Sequence, residues 1–300
     1  MQADTVIREK MVPGGWTQKK ADGAIALVAM VWGASYLLMK VGLEGIAPFN
    51  MIALRCCIAF AATALIFNKK VRKADGIVIQ YGAVLGLVIF AIFGFIMYGL
   101  KTTTASAAGF LCSTTVVFVP ILQIIITRKK PQPKVMAGTV FTIMGIALLT
   151  IHESLSFDTG AALCIAGAFF YACHIILTDR FIRRVDGLLL GVYQLGFAGL
   201  YGLIASFIFE MPSLPVGAAQ WGAIMGLALV SSAFGFVMQS IAQKYTTPEH
   251  TGLLYALEPV FSALFAFVLL REILAIRGYI GALMVLCGIL IPNIKSRAPD

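Results

Sequence analysis

Charged residues are scarce in this sequence. They make up 12% of its 300 residues, with 23 Lys or Arg against 14 Asp or Glu, whereas soluble domains carry about 25%. Hydrophobic residues reach 60%, more than the interior of a chain this long can hide, so many side chains must face lipid. The basic residues stand in short runs between apolar stretches, which argues against the single basic surface of a nucleic-acid-binding protein.

Metal-ligand and catalytic motifs are also missing. All six cysteines fall within apolar stretches and no pair has metal-ligand spacing, so we interpret them as small apolar side chains. No HExxH, GxSxG or Walker-type sequence occurs, which disfavours an intramembrane enzyme and excludes a self-contained ATP-driven pump. No metal, cofactor or enzymatic activity is therefore expected.

Apolar runs long enough to cross a bilayer dominate what remains. A spanning helix needs about 20 apolar residues. The predicted spans are 21–43, 48–67, 77–99, 105–127, 133–151, 160–178, 188–209, 218–241, 251–270 and 276–294. The sequence thus predicts an all-α integral membrane protein with ten transmembrane helices.

Basic residues concentrate on one side of the predicted membrane. Runs such as Lys69-Lys70 and Arg183-Arg184 fall in loops on the same side as the polar N-terminal segment. Cytoplasmic loops of membrane proteins carry this excess of Lys and Arg. We therefore expect a multi-pass protein of the cell membrane with cytoplasmic tails at 1–20 and 295–300.

An internal repeat divides the chain. Residues 99–146 align with 242–289 in a constant register, which matches a Lys-x-Thr-Thr sequence at Lys101 and Lys244 and three glycines. The predicted repeats, 21–151 and 160–294, hold five helices each, and an odd number inverts the second copy in the membrane. Inverted repeats of this kind build transporters with a substrate site between the halves. The predicted fold is two inverted five-helix repeats around a central cavity.

Several short motifs resemble those of a known family. They are Trp32-Gly33-Ala34-Ser35-Tyr36, Pro48 followed by Leu54-Arg55, Lys101-Thr102-Thr103-Thr104-Ala105, Lys244-Tyr245-Thr246-Thr247-Pro248 and Leu257-Glu258-Pro259-Val260. With these the chain resembles the ten-helix EamA-type exporters of the drug/metabolite transporter superfamily. The resemblance implies the same inverted repeats and the transport, often the export, of amino acids, other metabolites or toxic compounds.

Taken together, these patterns predict a secondary transporter. It would move, and by the resemblance export, small organic metabolites such as amino acids by alternating access. The alternatives are an uncoupled facilitator or a multidrug and toxic-compound exporter, with an intramembrane enzyme a distant third. The expected partners are a small-molecule substrate and the lipid bilayer, and the expected functional unit is a monomer.

Polar and aromatic residues that share one stripe of an apolar helix indicate a pathway lining. Trp32, Ser35, Tyr36 and Met39 have helical spacing, and polar groups in a span belong on the protein interior or a wet cavity. The other candidates are Tyr98, Thr114, Thr115, Tyr171, His174, Gln239, Tyr255 and Glu258. The competing interpretations are interfacial belts for Trp and Tyr and helix packing for Ser and Thr.

Ionisable residues also lie inside predicted spans, away from their ends, at Arg55, His174 and Glu258. His174 is either a substrate contact or titrating group, or an ordinary interhelical hydrogen-bond partner. For Arg55 the favoured interpretation is structural, with its long side chain reaching the outer surface. Glu258 either belongs to the mechanism or is a neutral carboxyl bonded across helices. The adjacent Pro259 lacks an N–H and predicts a helix break that frees the Tyr255 carbonyl.

Overall fold

The structure, a computed structural model, describes residues 16–103, 105–128, 131–150, 159–270 and 276–293. These ranges are almost entirely helical and contain no strand. Most of the predicted N-terminal tail, the predicted C-terminal tail at 295–300 and the motif residue Thr104 lie outside the described residues.

The helices follow one another in the predicted order. They are α1 (Gln18–Leu43), α2 (Pro48–Ile66), α3 (Gly76–Leu100), α4 (Ala105–Ser113 and Thr115–Thr127), α5 (Pro133–Thr150), α6 (Thr159–Phe181), α7 (Gly187–Phe209), α8 (Ala218–Met225, Gly226–Phe234 and Gly235–Ala242), α9 (Pro248–Tyr255 and Glu258–Leu270) and α10 (Ile276–Leu290). Single helical turns at Asn68–Val71, Gln243–Tyr245 and Ile291–Asn293 complete the described chain.

Among the residues that the structure describes, seven helices are long and apolar enough to cross a membrane. These are α1, α2, α3, α4, α6, α7 and α8. The apolar part of α5 and all of α10 are shorter, and α9 is divided into segments of 8 and 13 residues. The architecture is that of a multi-pass, all-helical membrane protein.

Side chains at the helix starts explain where the helices begin. The carboxylate of Asp75 accepts a hydrogen bond from the N–H of Val78 at 3.1 Å, and Asp186 accepts one from the N–H of Leu188 at 2.8 Å. Both bonds satisfy N–H groups that have no partner within the first helical turn. They fix the starts of α3 and α7.

The start of α2 is capped by a residue far away in sequence. Pro48 occupies its first turn, where a missing N–H costs nothing, and the preceding Ala47 offers no side-chain cap. Instead the carboxylate of Glu210, at the end of α7, accepts from the N–H groups of Phe49 at 3.0 Å and Asn50 at 2.9 Å. This contact ties the two halves of the chain together at one end of the bundle.

Close contacts between helices occur at glycines. A Cβ added to Gly138 in α5 would lie 2.5 Å from the carbonyl oxygen of Gly288 in α10, and one added to Gly145 would lie 2.7 Å from that of Gly281. Within a membrane, helices associate through such small-residue contacts because apolar burial gives little advantage over lipid. The pairing of α5 with α10 therefore depends on the absence of side chains at these positions.

Three helices depart from regular α geometry. The described part of α4 is interrupted at Thr114, the middle of α8 is a nine-residue π-helix over Gly226–Phe234, and α9 is interrupted at Ala256 and Leu257. Single π-helical turns are often found at functional sites. All three helices contact α1 or α6.

Candidate functional site

A small cavity lies where α1, α3, α6, α8 and α9 meet. Its volume is about 30 Å³, which holds about two water molecules. The lining residues are Trp32, Ser35, Tyr36, Met39, Ile92, Phe93, Ile96, Tyr171, Ser231, Phe236 and Glu258. A metabolite the size of an amino acid does not fit this volume, so binding one requires the walls to move apart.

Glu258 supplies the cavity with a carboxylate. It is only 4% exposed, and it begins the second segment of α9, directly after the interruption. Its Oε1 accepts a hydrogen bond from the Tyr171 hydroxyl at 3.1 Å, and its Oε2 accepts a longer one from the Tyr36 hydroxyl at 3.4 Å. One tyrosine comes from α1 and the other from α6, so the carboxylate joins helices from both halves of the chain.

The interruption of α9 places Glu258 favourably. A helix start carries partial positive charge from its unpaired N–H groups, which favours an acidic residue there. Pro259 follows in the first turn of the segment, where its lack of an N–H removes no helical hydrogen bond. The Glu-Pro sequence is therefore suited to restarting the helix at this depth.

Aromatic rings form most of the wall beside Glu258. The indole N–H of Trp32 donates to the carbonyl of Ser231 at 2.8 Å. Its ring lies 4.8 Å from Phe236, 5.1 Å from Tyr255 and 5.7 Å from Tyr171, measured between centroids. Contacts at these distances are typical of favourable aromatic pairs. Trp32 is thus the central contact of this wall.

Tyr255 lies behind the wall. Its ring stacks on that of Tyr171 at 5.4 Å, and its buried hydroxyl has no hydrogen-bond partner among the described residues. A buried hydroxyl without a partner costs free energy. Tyr255 is the last residue of the first segment of α9, on the other side of the interruption from Glu258.

Gly33 permits α1 to approach the interrupted part of α9. A Cβ added here would lie 2.5 Å from the carbonyl oxygen of Glu258 and 3.2 Å from the Cβ of Phe261. The first contact involves backbone and cannot be relieved by rotating a side chain. Glycine at this position is therefore required for the contact between α1 and α9.

His174 belongs to a second polar cluster, next to the cavity. One ring nitrogen lies 2.9 Å from the amide oxygen of Gln194, and the other lies 3.4 Å from the amide nitrogen of Gln239. All three residues are fully buried, and Phe236, a cavity residue, packs edge-on against the imidazole at 5.7 Å. In this geometry His174 forms hydrogen bonds between helices, which is one of the two roles considered for it.

Three other candidates lie outside the cavity wall. The Tyr98 hydroxyl donates to the carboxylate of Glu210 at 3.2 Å, at the end of the bundle where Glu210 caps α2. Thr114 sits at the interruption of α4. Thr115 donates to the carbonyl of Ala168 at 3.1 Å and so connects α4 with α6.

The stripe of α1 is brought together with residues that the sequence did not indicate. Ile92, Phe93 and Ile96 are apolar residues in an apolar helix, so nothing in the pattern distinguishes them. Ser231 and Phe236 were missed because residues five apart lie on different faces of a regular α-helix. The π-helix widens the turns of α8, and residues five apart, Ser231 and Phe236, then share the cavity face.

The side chain of Arg55 does not reach the outer surface, contrary to the interpretation from the sequence. It is 0% exposed, and its Nε and one terminal nitrogen donate to the hydroxyls of Ser232 and Ser231, both at 3.0 Å. Its guanidinium also lies 4.0 Å from the ring centroid of Phe93. The interpretation is wrong because these contacts hold the guanidinium inside the bundle, next to the cavity residues Ser231 and Phe93.

No metal site accompanies these groups in the described ranges. Histidine, cysteine and acidic side chains do not gather there in threes close enough to hold an ion. What the site offers is a carboxylate with two phenolic donors, an aromatic wall and a nearby guanidinium. Such groups can bind a polar organic molecule reversibly.

The chain is similar in sequence to proteins that are named as transporters, pumps or exporters. A chain from Archaeoglobus fulgidus named an uncharacterized transporter is 27% identical over 92% of this chain and 86% of its own. A "Probable amino-acid metabolite efflux pump" of Salmonella typhimurium is 26% identical, over 91% and 94%. A "Probable terminal-alkyne amino-acid exporter" of Streptantibioticus cattleyicolor is 23% identical, over 92% and 94%.

Known proteins match this chain both in fold and in family. One solved crystal structure superposes with a TM-score of 0.75 at 19% identity, covering 91% of this chain and 96% of that one. The profile of the EamA-like transporter family matches residues 19–151 and again residues 158–294. Since these matches cover nearly the whole sequence, the chain belongs to the EamA-like transporter family.

Proposed function

We propose that this protein is a secondary transporter that exports small organic metabolites such as amino acids by alternating access. The observation that carries the proposal is Glu258, a buried carboxylate in a central cavity held by tyrosines from both halves of the chain. An ionisable residue facing a cavity within the membrane marks a substrate or ion pathway. The names of the Salmonella and Streptantibioticus relatives support amino acids as the substrate class.

The proposed architecture is ten transmembrane helices in two inverted repeats, 21–151 and 160–294. The repeat register pairs Thr114 with Leu257, and the interruptions of α4 and α9 fall at these two residues. Helix packing supports the same relation. Contacts of α2 with α8 correspond to those of α7 with α3, and contacts of α1 with α9 to those of α6 with α4.

Contacts at one end of α1 support the proposed alternating access. At the N-terminal end of α1, the Asp22 carboxylate lies 3.2 Å from the His250 ring nitrogen, and Trp16 stacks on Tyr245 at 5.9 Å. These contacts join α1 to the second half of the chain. Because the cavity is too small for a metabolite, a substrate that enters from this end requires α1 to separate from α9.

The proposed orientation rests on the basic loops. Both termini would be cytoplasmic, in the cell membrane, and a monomer would suffice because one chain forms the whole cavity.

Single cysteines at Asn68 and Arg183 should resist a membrane-impermeant thiol reagent added outside, in a cysteine-free background. A cysteine at Ser213 should react. Labelling of Asn68 from outside would overturn this orientation.

Uptake into proteoliposomes tests the transport function. We expect purified protein to accelerate the entry of a labelled amino acid from a panel, above liposomes without protein, and unlabelled solute inside should stimulate it by exchange. An imposed proton gradient that drives accumulation would indicate coupling. Equilibration without accumulation would indicate the facilitator, and transport of apolar cations alone would favour the multidrug alternative. No movement of any solute would contradict the proposal.

A further inference from the structure

Arg55 is an unusual residue to find buried inside a membrane protein. A guanidinium keeps its charge in proteins and has five N–H donors. Here two of its nitrogens donate to serine hydroxyls, while the second terminal nitrogen, Nη1, is buried without a partner among the described residues. The side chain is therefore incompletely satisfied.

Its charge is also unbalanced within the described chain. The ion pairs there join Lys70 to Asp186, Arg183 to Asp179 and His250 to Asp22, and none of them includes Arg55. Its surroundings are neutral: two hydroxyls and the face of Phe93, which provides a cation–π contact. A buried charge without a counter-charge is costly, so an anion from outside the chain would be strongly attracted.

The position of Arg55 connects it to the cavity. Ser231 and Phe93, which both contact the guanidinium, also line the cavity beside Trp32. The cavity must expand to hold a metabolite, and movement of Ser231 or Phe93 would expose the guanidinium to it. The π-helix supplies the two serines from consecutive positions of α8, so a change in α8 alters the contacts of Arg55 directly.

We propose that Arg55 binds the carboxylate of the transported solute, while Glu258 with Tyr36 and Tyr171 binds its ammonium group. This inference rests on the proposed function and specifies its substrate as a zwitterion. Guanidinium groups bind carboxylates through two parallel hydrogen bonds, and the solute would occupy Nη1 and take the place of Ser231 on the other terminal nitrogen. Trp32, which bonds Ser231 and packs against Tyr171, connects the two binding groups.

A comparison of three related solutes tests the assignment. L-phenylalanine carries both charges, L-phenylalaninamide lacks the carboxylate and 3-phenylpropionate lacks the ammonium. Binding is measured by the thermal shift of purified full-length protein, since ligands of the folded state stabilise it by mass action. We expect the wild type to bind phenylalanine at least tenfold more tightly than either analogue.

Variants of Arg55 separate a binding role from a structural one. Arg55→Gln should weaken phenylalanine binding at least tenfold and leave phenylalaninamide binding within about twofold, because only the carboxylate contact is lost. Arg55→Lys keeps the charge, so its affinity for phenylalanine should lie between those of the wild type and the glutamine variant. The lysine variant is used alone if the glutamine variant does not fold. The matched control is Thr63→Ala, a buried polar residue of α2 that bonds within its own helix.

Three results would overturn the inference. The first is equal weakening of phenylalanine and phenylalaninamide by both Arg55 variants, as expected if Arg55 only clamps α2 to α8. The second is a wild type that binds the amide as tightly as the amino acid. The third is a protein that transports other solutes and binds none of these three. If the protein transports no solute at all, the proposed function itself is contradicted.

Discussion

Glu258→Gln should leave the protein folded and reduce transport by about 10- to 100-fold. The carboxylate accepts hydrogen bonds on both oxygens, from Tyr171 and Tyr36. Glutamine has nearly the same shape but one acceptor atom, cannot ionise and cannot attract a cation. Hydrogen bonds to charged groups are worth roughly 1.5–3 kcal/mol, and each 1.4 kcal/mol is about a tenfold change in affinity. Uptake by proteoliposomes measures the effect.

The pH profile distinguishes the mechanistic role from a structural one. If Glu258 carries the coupling proton or binds a substrate ammonium, wild-type uptake varies with pH and the glutamine variant loses that dependence. Glu44→Gln, the same change at an exposed position after α1, should behave as the wild type. Unchanged uptake with an unchanged pH profile in Glu258→Gln would make the carboxyl structural.

Gly33→Ala should destabilise the protein and disturb the site around Glu258 from the neighbouring helix α1. The new methyl group would lie 2.5 Å from the carbonyl oxygen of Glu258, so α1 or the interrupted part of α9 must shift. Overpacking of this kind typically costs about 1–3 kcal/mol, and displacement of Glu258 should lower uptake as well. Thermal unfolding in detergent, together with uptake, measures both effects.

Gly23→Ala provides a control on the same helix. No other group lies within 4 Å of a Cβ at Gly23, and alanine favours helix over glycine by about 1 kcal/mol. This variant should therefore unfold at the same or a higher temperature and transport normally. If Gly33→Ala matches it in both respects, the close approach of α1 to α9 is not as described.

The order and approximate ends of the helices could be predicted from the sequence. Spans such as 48–67 and 188–209 lie within a residue or two of α2 and α7, because apolar length and helix-capping residues determine where a membrane helix begins and ends. The stripe of Trp32, Ser35 and Tyr36 also shares one face of α1, since that helix is regular there.

The rest of the site depends on contacts that no local pattern encodes. The π-helix of α8 precedes and includes the positions that bring Ser231 and Phe236 to one cavity face, and α-helical periodicity does not indicate that pairing. The burial of Arg55 follows from hydroxyls about 180 residues away in sequence. Neither feature could be predicted from α2 or α8 alone.

Fluorescence from Trp32 tests the central claim that substrate binds in this cavity. The chain has three tryptophans, Trp16, Trp32 and Trp221, and replacing the two outside the cavity by Phe leaves Trp32 as the only one. We expect a transported amino acid to change its emission saturably, with a Kd equal to the concentration that half-inhibits uptake of labelled solute. Emission that stays constant while the same protein still transports that solute would place the binding site elsewhere.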